Sequence, residues 1–240
     1  MSVTEGGRNI VIDKLLLYVD GANSNCYVSG TTLNDLVSND TGSLINGVTY
    51  DINNRGSFVL DGVNDYIDLG SRVTSLAPSY PLSMDLWIWV SSTNPYNGGV
   101  FATNGLTTVY YGFAIQIFSG FIFANIGNGT GGGSGNRRSY YTSTALVPEV
   151  WNHVVVTVDT GNIFQIYING VLMSGTYSGS GGSINWGSSS PDAGTTTQIG
   201  RSTGYGTPFK GKISNVKLYN KLLSQDEILQ NYNVLKYRFI

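Results

Sequence analysis

Charge, sulfur and imidazole are what this chain has least of. Its 240 residues include one cysteine, Cys26, and one histidine, His153, and only 12% are charged. A lone cysteine excludes an intrachain disulfide and any cysteine-based zinc cluster, so stability has to come from packing. The formal charge of −2 provides no basic field for phosphates. That argues against nucleic acid or an anionic membrane as the principal partner. Arg137-Arg138 is the one basic pair away from the C-terminal end. No apolar run reaches membrane-spanning length, and Asp13 and Lys14 interrupt the N-terminal stretch that could otherwise form the apolar region of a signal peptide. Acids are scarce too: Glu5, Glu149 and Glu227 are the only glutamates.

Glycine (32) and tyrosine (16) are abundant, and serine, threonine and asparagine fill most of the rest, giving a neutral polar surface. Such a surface is usual outside cells, yet the chain shows no export signal. A virion protein, made in a host cytoplasm and released by lysis, reconciles the two.

The apolar pattern has mostly period two, as half-buried strands require. Between residues 83 and 90, Met84, Leu86, Ile88 and Val90 share one face while Asp85, Trp87 and Trp89 share the other. Both faces are largely apolar, which predicts a central strand covered on both sides. Residues 151–158 read the same way. Asn169-Gly170 between two short apolar runs predicts a two-residue hairpin, and Tyr111–Ile117 with Phe121–Ile126 predicts another. Helix is confined to one segment, where Ser224 and Glu227 form a capping box and Leu223 staples onto Ile228. Ile228, Tyr232 and Leu235 then form a stripe that predicts a C-terminal lid on the sandwich. Two Gly/Ser-rich segments, Gly127–Asn136 and Ser174–Thr197, show no strand pattern and read as long loops.

The order of motifs carries a resemblance. LDGVNDYIDLG (60–70), MDLWIWV, WNHVVVTVD, IYINGVL, IGR (199–201), FKGKISNVKLYNKLLSQDEI and a terminal NYNVLKYRF together resemble the laminin-G-like branch of the concanavalin A-like lectin/glucanase superfamily over about residues 57–240. The resemblance implies an all-β jelly-roll sandwich of two antiparallel sheets with one short C-terminal helix, binding through rim loops or a concave face. Residues 8–56, with LLLYVDGANSNCY and LINGVTYD, resemble the segment attached to this module in structural proteins of marine bacteriophages. The expected organisation is one domain over 1–240, with 1–56 an extension integrated into it.

Fold alone does not choose a function within this superfamily. Glycoside hydrolysis needs two carboxylates about 5–10 Å apart. The superfamily's glucanases place them as Glu-x-Asp-x-x-Glu on one strand. Here Asp85 is the sole acid on its strand, with none at 83, 87 or 89, so a glycosidase is the least favoured reading. His153, in the family's Trp-x-His-Val pattern, reads as structural rather than catalytic, and Cys26 has no second histidine to activate it. Asp61, Asn64, Asp65 and Asp68 in LDGVNDYIDLG offer oxygen ligands that suit calcium. The simpler alternative is a hairpin turn between strands 57–60 and 66–69, with Asn64 and Asp65 bonding backbone and Asp68 pointing outward. No other cofactor is implied.

Tyr110, Tyr111, Asn128, Asn136, Arg137, Tyr140, Tyr141, Trp186 and Tyr205 could bind carbohydrate, aromatic faces meeting sugar C–H groups beside planar polar side chains, or could bury against a neighbouring subunit. The leading expectation is a non-catalytic phage virion protein, a capsid decoration or tail-associated component. It would dock on other virion proteins such as the major capsid protein, with Lys236–Ile240 among the docking contacts, and homo-oligomerisation would fit. The alternative is a soluble lectin or adhesin module binding surface glycans, with or without calcium.

Overall fold

A computed structural model of the chain describes residues 9–76, 78–93, 97–103, 111–184, 186, 196–202 and 208–240. Four strands form before residue 52: β1 (Leu15–Asp20), β2 (Thr32–Asn34), β3 (Thr41–Ile45) and β4 (Thr49–Asp51). β5 (Ser57–Asp61), β6 (Tyr66–Asp68) and a five-residue helix α1 (Arg72–Leu76) lead into β7 (Leu82–Val90), β8 (Asn97–Ala102), β9 (Tyr111–Phe118) and β10 (Phe121–Asn128). After them come β11 (Arg137–Thr142), β12 (Trp151–Val158), β13 (Phe164–Ile168), β14 (Val171–Met173), β15 (Gly175–Ser178), β16 (Gln198–Ile199) and β17 (Lys210–Tyr219), and the chain closes with helix α2 (Gln225–Leu235).

Every named strand pairing is antiparallel, and among the described residues the strands make two sheets. The first runs β14-β13-β12-β7-β17-β5-β4, with β1 also on β17, and the second runs β15-β11-β10-β9-β8-β16-β6-β3-β2. This is the jelly-roll-like sandwich with a short C-terminal helix that the motifs imply. Met84, Leu86, Ile88 and Val90 meet Phe113, Ile115, Ile117 and Ile122 in one cluster between the sheets. Each such side chain, fully buried, contributes about 1.5–3 kcal/mol. β7 lies between β12 and β17, so its second face must also be covered. α2 and the segments beside it do so, burying Trp87 and Trp151 against Leu235 and Phe239.

Local signals account for several elements. Asn169 (φ 52°) and Gly170 (φ 80°) both take positive φ, and Ile168 pairs directly with Val171 across them. Ser119 and Gly120 do the same between Phe118 and Phe121. Ser224 and Glu227 form the reciprocal capping box, and Leu223 packs with Ile228.

Two expectations are corrected. LDGVNDYIDLG is no hairpin: β5 belongs to the first sheet and β6 to the second, so the segment is the corner by which the chain crosses the sandwich. Ser174–Thr197 is not all loop either, since β15 adds to the edge of β11, pairing Tyr177 with Tyr140. No helix among the described residues is long and apolar enough to cross a membrane.

Gly211 in β17 has φ +154°, and a Cβ there would strike the Trp89 carbonyl on the neighbouring strand. Gly211→Ala is therefore expected to destabilise the fold by about 2 kcal/mol or more, read as a lower urea midpoint at unchanged slope.

Candidate functional site

Three central strands each carry one ionisable residue onto the face of the first sheet that lies beneath α2. Asp85 in β7 is cross-strand to Lys217 in β17 and diagonal to His153 in β12. All three are fully buried. Lys217 Nζ donates to Asp85 Oδ1 at 2.7 Å and to Asn215 Oδ1 at 2.8 Å. Asn231 of α2 donates to Asp85 Oδ2 at 2.8 Å. His153 Nε2 lies 3.1 Å from Asp85 Oδ1, outside hydrogen-bonding direction, and its ring rests 5.1 Å from that of Trp87. Burial pushes the Asp85 carboxyl up, but the interactions with Lys217 and His153 outweigh it and hold the group well below the usual carboxylate range. An acid so held keeps no proton to donate at neutral pH and is sealed from any substrate. Asp85 is therefore a structural anion, and His153 fills the niche beside it.

Both ends of the described chain tie into this region. Val11 N–H donates to Asn231 Oδ1 at 2.8 Å, and the Tyr219 hydroxyl donates to the Val11 carbonyl at 3.0 Å. Arg238 forks onto Asp20 at 2.9 and 3.0 Å and also reaches Ser214. Phe239 stacks on Trp87 with centroids 4.3 Å apart. Of the segment expected to dock on other proteins, Arg238 and Phe239 are thus spent on the chain's own fold. Tyr237 and Ile240 remain exposed.

At the corner, Asp61 Oδ1 accepts from the Val63 N–H at 2.7 Å, and Asp65 Oδ2 accepts from the Asp61 N–H at 3.1 Å. The Asn64 carbonyl accepts from Asn46, and Asp68 bonds the Gly70 N–H beyond β6. Asp65 is buried, which pushes its carboxyl upward. These contacts are those of a backbone-supporting turn. Among the described residues, no group of three or more His, Cys, Asp or Glu side chains is placed to hold a metal ion.

The aromatic and amide candidates divide. Tyr110 and Tyr205 lie outside the described residues, as does the side chain of Tyr111, whose backbone opens β9. Tyr140 turns inward, nearly parallel to Phe164 and against Tyr177, because Ser139 and Tyr141 hold the outward positions on β11. Trp186 donates to the Pro78 carbonyl at 2.9 Å and packs on the core. The buried Tyr140 ring presents no open face. Asn128 and Asn136 share the Thr130 hydroxyl, whose contacts to both are 2.8 Å, and so organise the Gly-rich loop. Arg137 bonds Ser139, which bonds Asn125 across to β10. Tyr141, Ser139 and Arg137 therefore line one face of the second sheet beside Phe123, Asn125 and Gly127.

Residues 61–229, more than half of the chain, match the laminin G model of the concanavalin A-like lectin/glucanases superfamily. The chain belongs to that superfamily.

This lectin/glucanase-type chain is also 24% identical over 169 residues to adhesion G-protein coupled receptor V1 of Danio rerio. The aligned part covers 70% of this chain but 3% of the receptor. Among solved structures, the receptor-binding domain of botulinum neurotoxin C/D mosaic serotype superposes with a TM-score of 0.68 at 16% identity, over 92% of this chain and 51% of that one. A structure of botulinum neurotoxin type C, whose cell entry depends on interaction with two ganglioside molecules, gives 0.65 at 17% identity over 93% and 52%. A Trypanosoma rangeli sialidase mutant with trans-sialidase activity gives 0.62 at 15% over 95% and 34%. At these identities the likeness shows the fold alone. The superfamily chain spans about half of the toxin domains and about a third of the sialidase.

Two features of this superfamily chain escape the motif reading. The buried triad is announced only by an Asp, a His and a Lys each standing inside an otherwise apolar strand. Phe118, Phe121 and Phe123 read as strand filler, although alternation places them opposite the core-facing Ile115, Ile117 and Ile122.

Proposed function

We propose that this chain is a non-catalytic recognition module that binds glycans. The observation that carries the reading is the superfamily match over 61–229 in a chain whose acid on the central strand β7, Asp85, is buried and locked by Lys217. A sandwich of this family whose Asp85 cannot reach a substrate is suited to binding rather than to cleavage. Similarity to botulinum toxin structures, one of a toxin whose cell entry depends on ganglioside interaction, and to an adhesion receptor supports the same reading. It favours the glycan-binding alternative over capsid decoration, which rests on the resemblance of residues 8–56. Display on a phage particle is one setting in which such a module would meet host glycans. The proposed unit is the whole chain as one domain, since β1 pairs with β17 and β2–β4 extend both sheets.

The chain applied to an array of immobilised glycans is expected to mark a structurally related subset. Its low net charge predicts that this signal survives added salt, unlike phosphate-driven adsorption. Uniform background, or a signal abolished by salt, would contradict the reading.

A further inference from the structure

Asn-Gly stands at 46, 97, 104, 128 and 169, and the structure describes the asparagine side chains at 46, 128 and 169. A glycine after asparagine leaves the next backbone nitrogen uncrowded by a Cβ, so that nitrogen can reach the asparagine's own side-chain carbon unless the amide is held elsewhere. At two of the three positions it is held. Asn169 Oδ1 accepts from the His153 N–H at 2.9 Å, and the Asn169 N–H donates to the His153 carbonyl at 2.8 Å, which fastens the residue to β12. Gly170, which follows it, is buried with Leu229 against it. Asn46 Nδ2 donates to the Asn64 carbonyl at 2.9 Å, which ties that amide to the corner segment.

Asn128 is held differently. It closes β10, half-buried, and the Gly-rich chain that follows it is mostly exposed. Its Oδ1 accepts from the Thr130 N–H at 3.0 Å and from the Thr130 hydroxyl at 2.8 Å. The ring closed by the first of these bonds contains the Gly129 nitrogen, so the amide is folded back toward that atom instead of being tied to another strand. Gly129 has φ +77°, a left-handed conformation that suits glycine. Asn136 Oδ1 lies 3.5 Å from Asn128 Nδ2 and 2.8 Å from the Thr130 hydroxyl, and so faces the amide from the far side of the loop.

We infer that Asn128-Gly129 is a self-modifying site, at which the Gly129 nitrogen attacks Asn128 Cγ and converts the asparagine to aspartate and isoaspartate. The Gly129 N–H gives its proton to solvent hydroxide as the N–Cγ bond forms, and the carbonyl electron pair moves onto Oδ1. The two Thr130 donors meet that developing oxyanion. Collapse breaks the Cγ–Nδ2 bond, and Nδ2 leaves as ammonia with a proton from water. The cyclic imide that remains takes up water at either carbonyl. Opening at one side returns an ordinary aspartate; opening at the other routes the backbone through the β-carbon as isoaspartate. Water is consumed, ammonia is released, and nothing is oxidised or reduced. Each event puts a carboxylate on the loop that Asn128 and Asn136 organise, in a chain whose formal charge is only −2. The inference is independent of the glycan-binding reading.

The test incubates the full chain at mildly alkaline pH, folded and in urea, and follows isoaspartate by peptide mass mapping and by labelling with an isoaspartyl methyltransferase. The folded chain is expected to accumulate isoaspartate at position 128 while positions 46 and 169 keep their amides. In urea, where the fold no longer discriminates, all three are expected to react. Thr130→Val, which removes one donor on an exposed residue, is expected to slow conversion at position 128 in the folded chain about threefold or more. Conversion at position 46 or 169 as fast as at 128 in the folded chain overturns the inference, as does an asparagine that stays intact at 128. A Thr130→Val chain that reacts at the wild-type rate overturns it too, because the Thr130 donors then do not assist the attack.

Discussion

Asp85→Ala is expected to cost about 3–5 kcal/mol of folding stability, because it leaves the Lys217 ammonium buried without its counter-charge. The loss reaches further than one pair. Asp85 also accepts from Asn231, through which α2 and Val11 are fastened to the sheet. Urea unfolding checks the size of the effect, and amide exchange in α2 checks its path. Asp85→Leu with Lys217→Met should recover much of the loss, since a packed apolar pair of similar volume often replaces a buried ion pair at little cost. The same carboxyl sets the acid limit of the fold. Its folded pKa is depressed, so its stabilisation is present above the unfolded value of ~4 and is lost as pH falls through the lower folded value. The thermal midpoint is expected to hold from neutrality to about pH 5 and to fall below about pH 4, with a shallower fall in Asp85→Asn.

Arg238→Ala should be the next most damaging change, at about 3 kcal/mol. The guanidinium forks onto Asp20, and both side chains are more than nine-tenths buried. Without it, Asp20 keeps the Tyr18 hydroxyl and the Ala22 N–H but loses its counter-charge. Phe239, the next residue, would then lose the anchor that holds it on Trp87 and Trp151. Arg238→Lys should restore only part of the stability, because a point charge cannot make the two-pronged contact. Differential scanning calorimetry of the three chains orders them.

Much of the sandwich is legible because strand pairs declare themselves locally. Alternation in 83–90 fixes which side chains face the core, and Asn169-Gly170 fixes a turn through its positive φ angles. α2 is legible from its capping box. Sheet membership is not local. Nothing in LDGVNDYIDLG distinguishes a hairpin from a corner, since Asp61 and Asp65 bond backbone in either case. The same limit hides the triad: Asp85 looks partnerless because its partners lie 68 and 132 residues away in sequence, as His153 and Lys217. Tyr140 illustrates a different failure. Two adjacent tyrosines look equally available, but a strand turns one to each face, and it is Tyr141 that meets solvent.

The most direct test of glycan recognition without cleavage is to incubate the chain with a glycan that it retains on an array, separate the complex by size, and weigh the co-eluting sugar by mass spectrometry. The expected result is co-elution of the glycan at its full mass. A glycan that elutes free of the protein, or one recovered shortened, would contradict it.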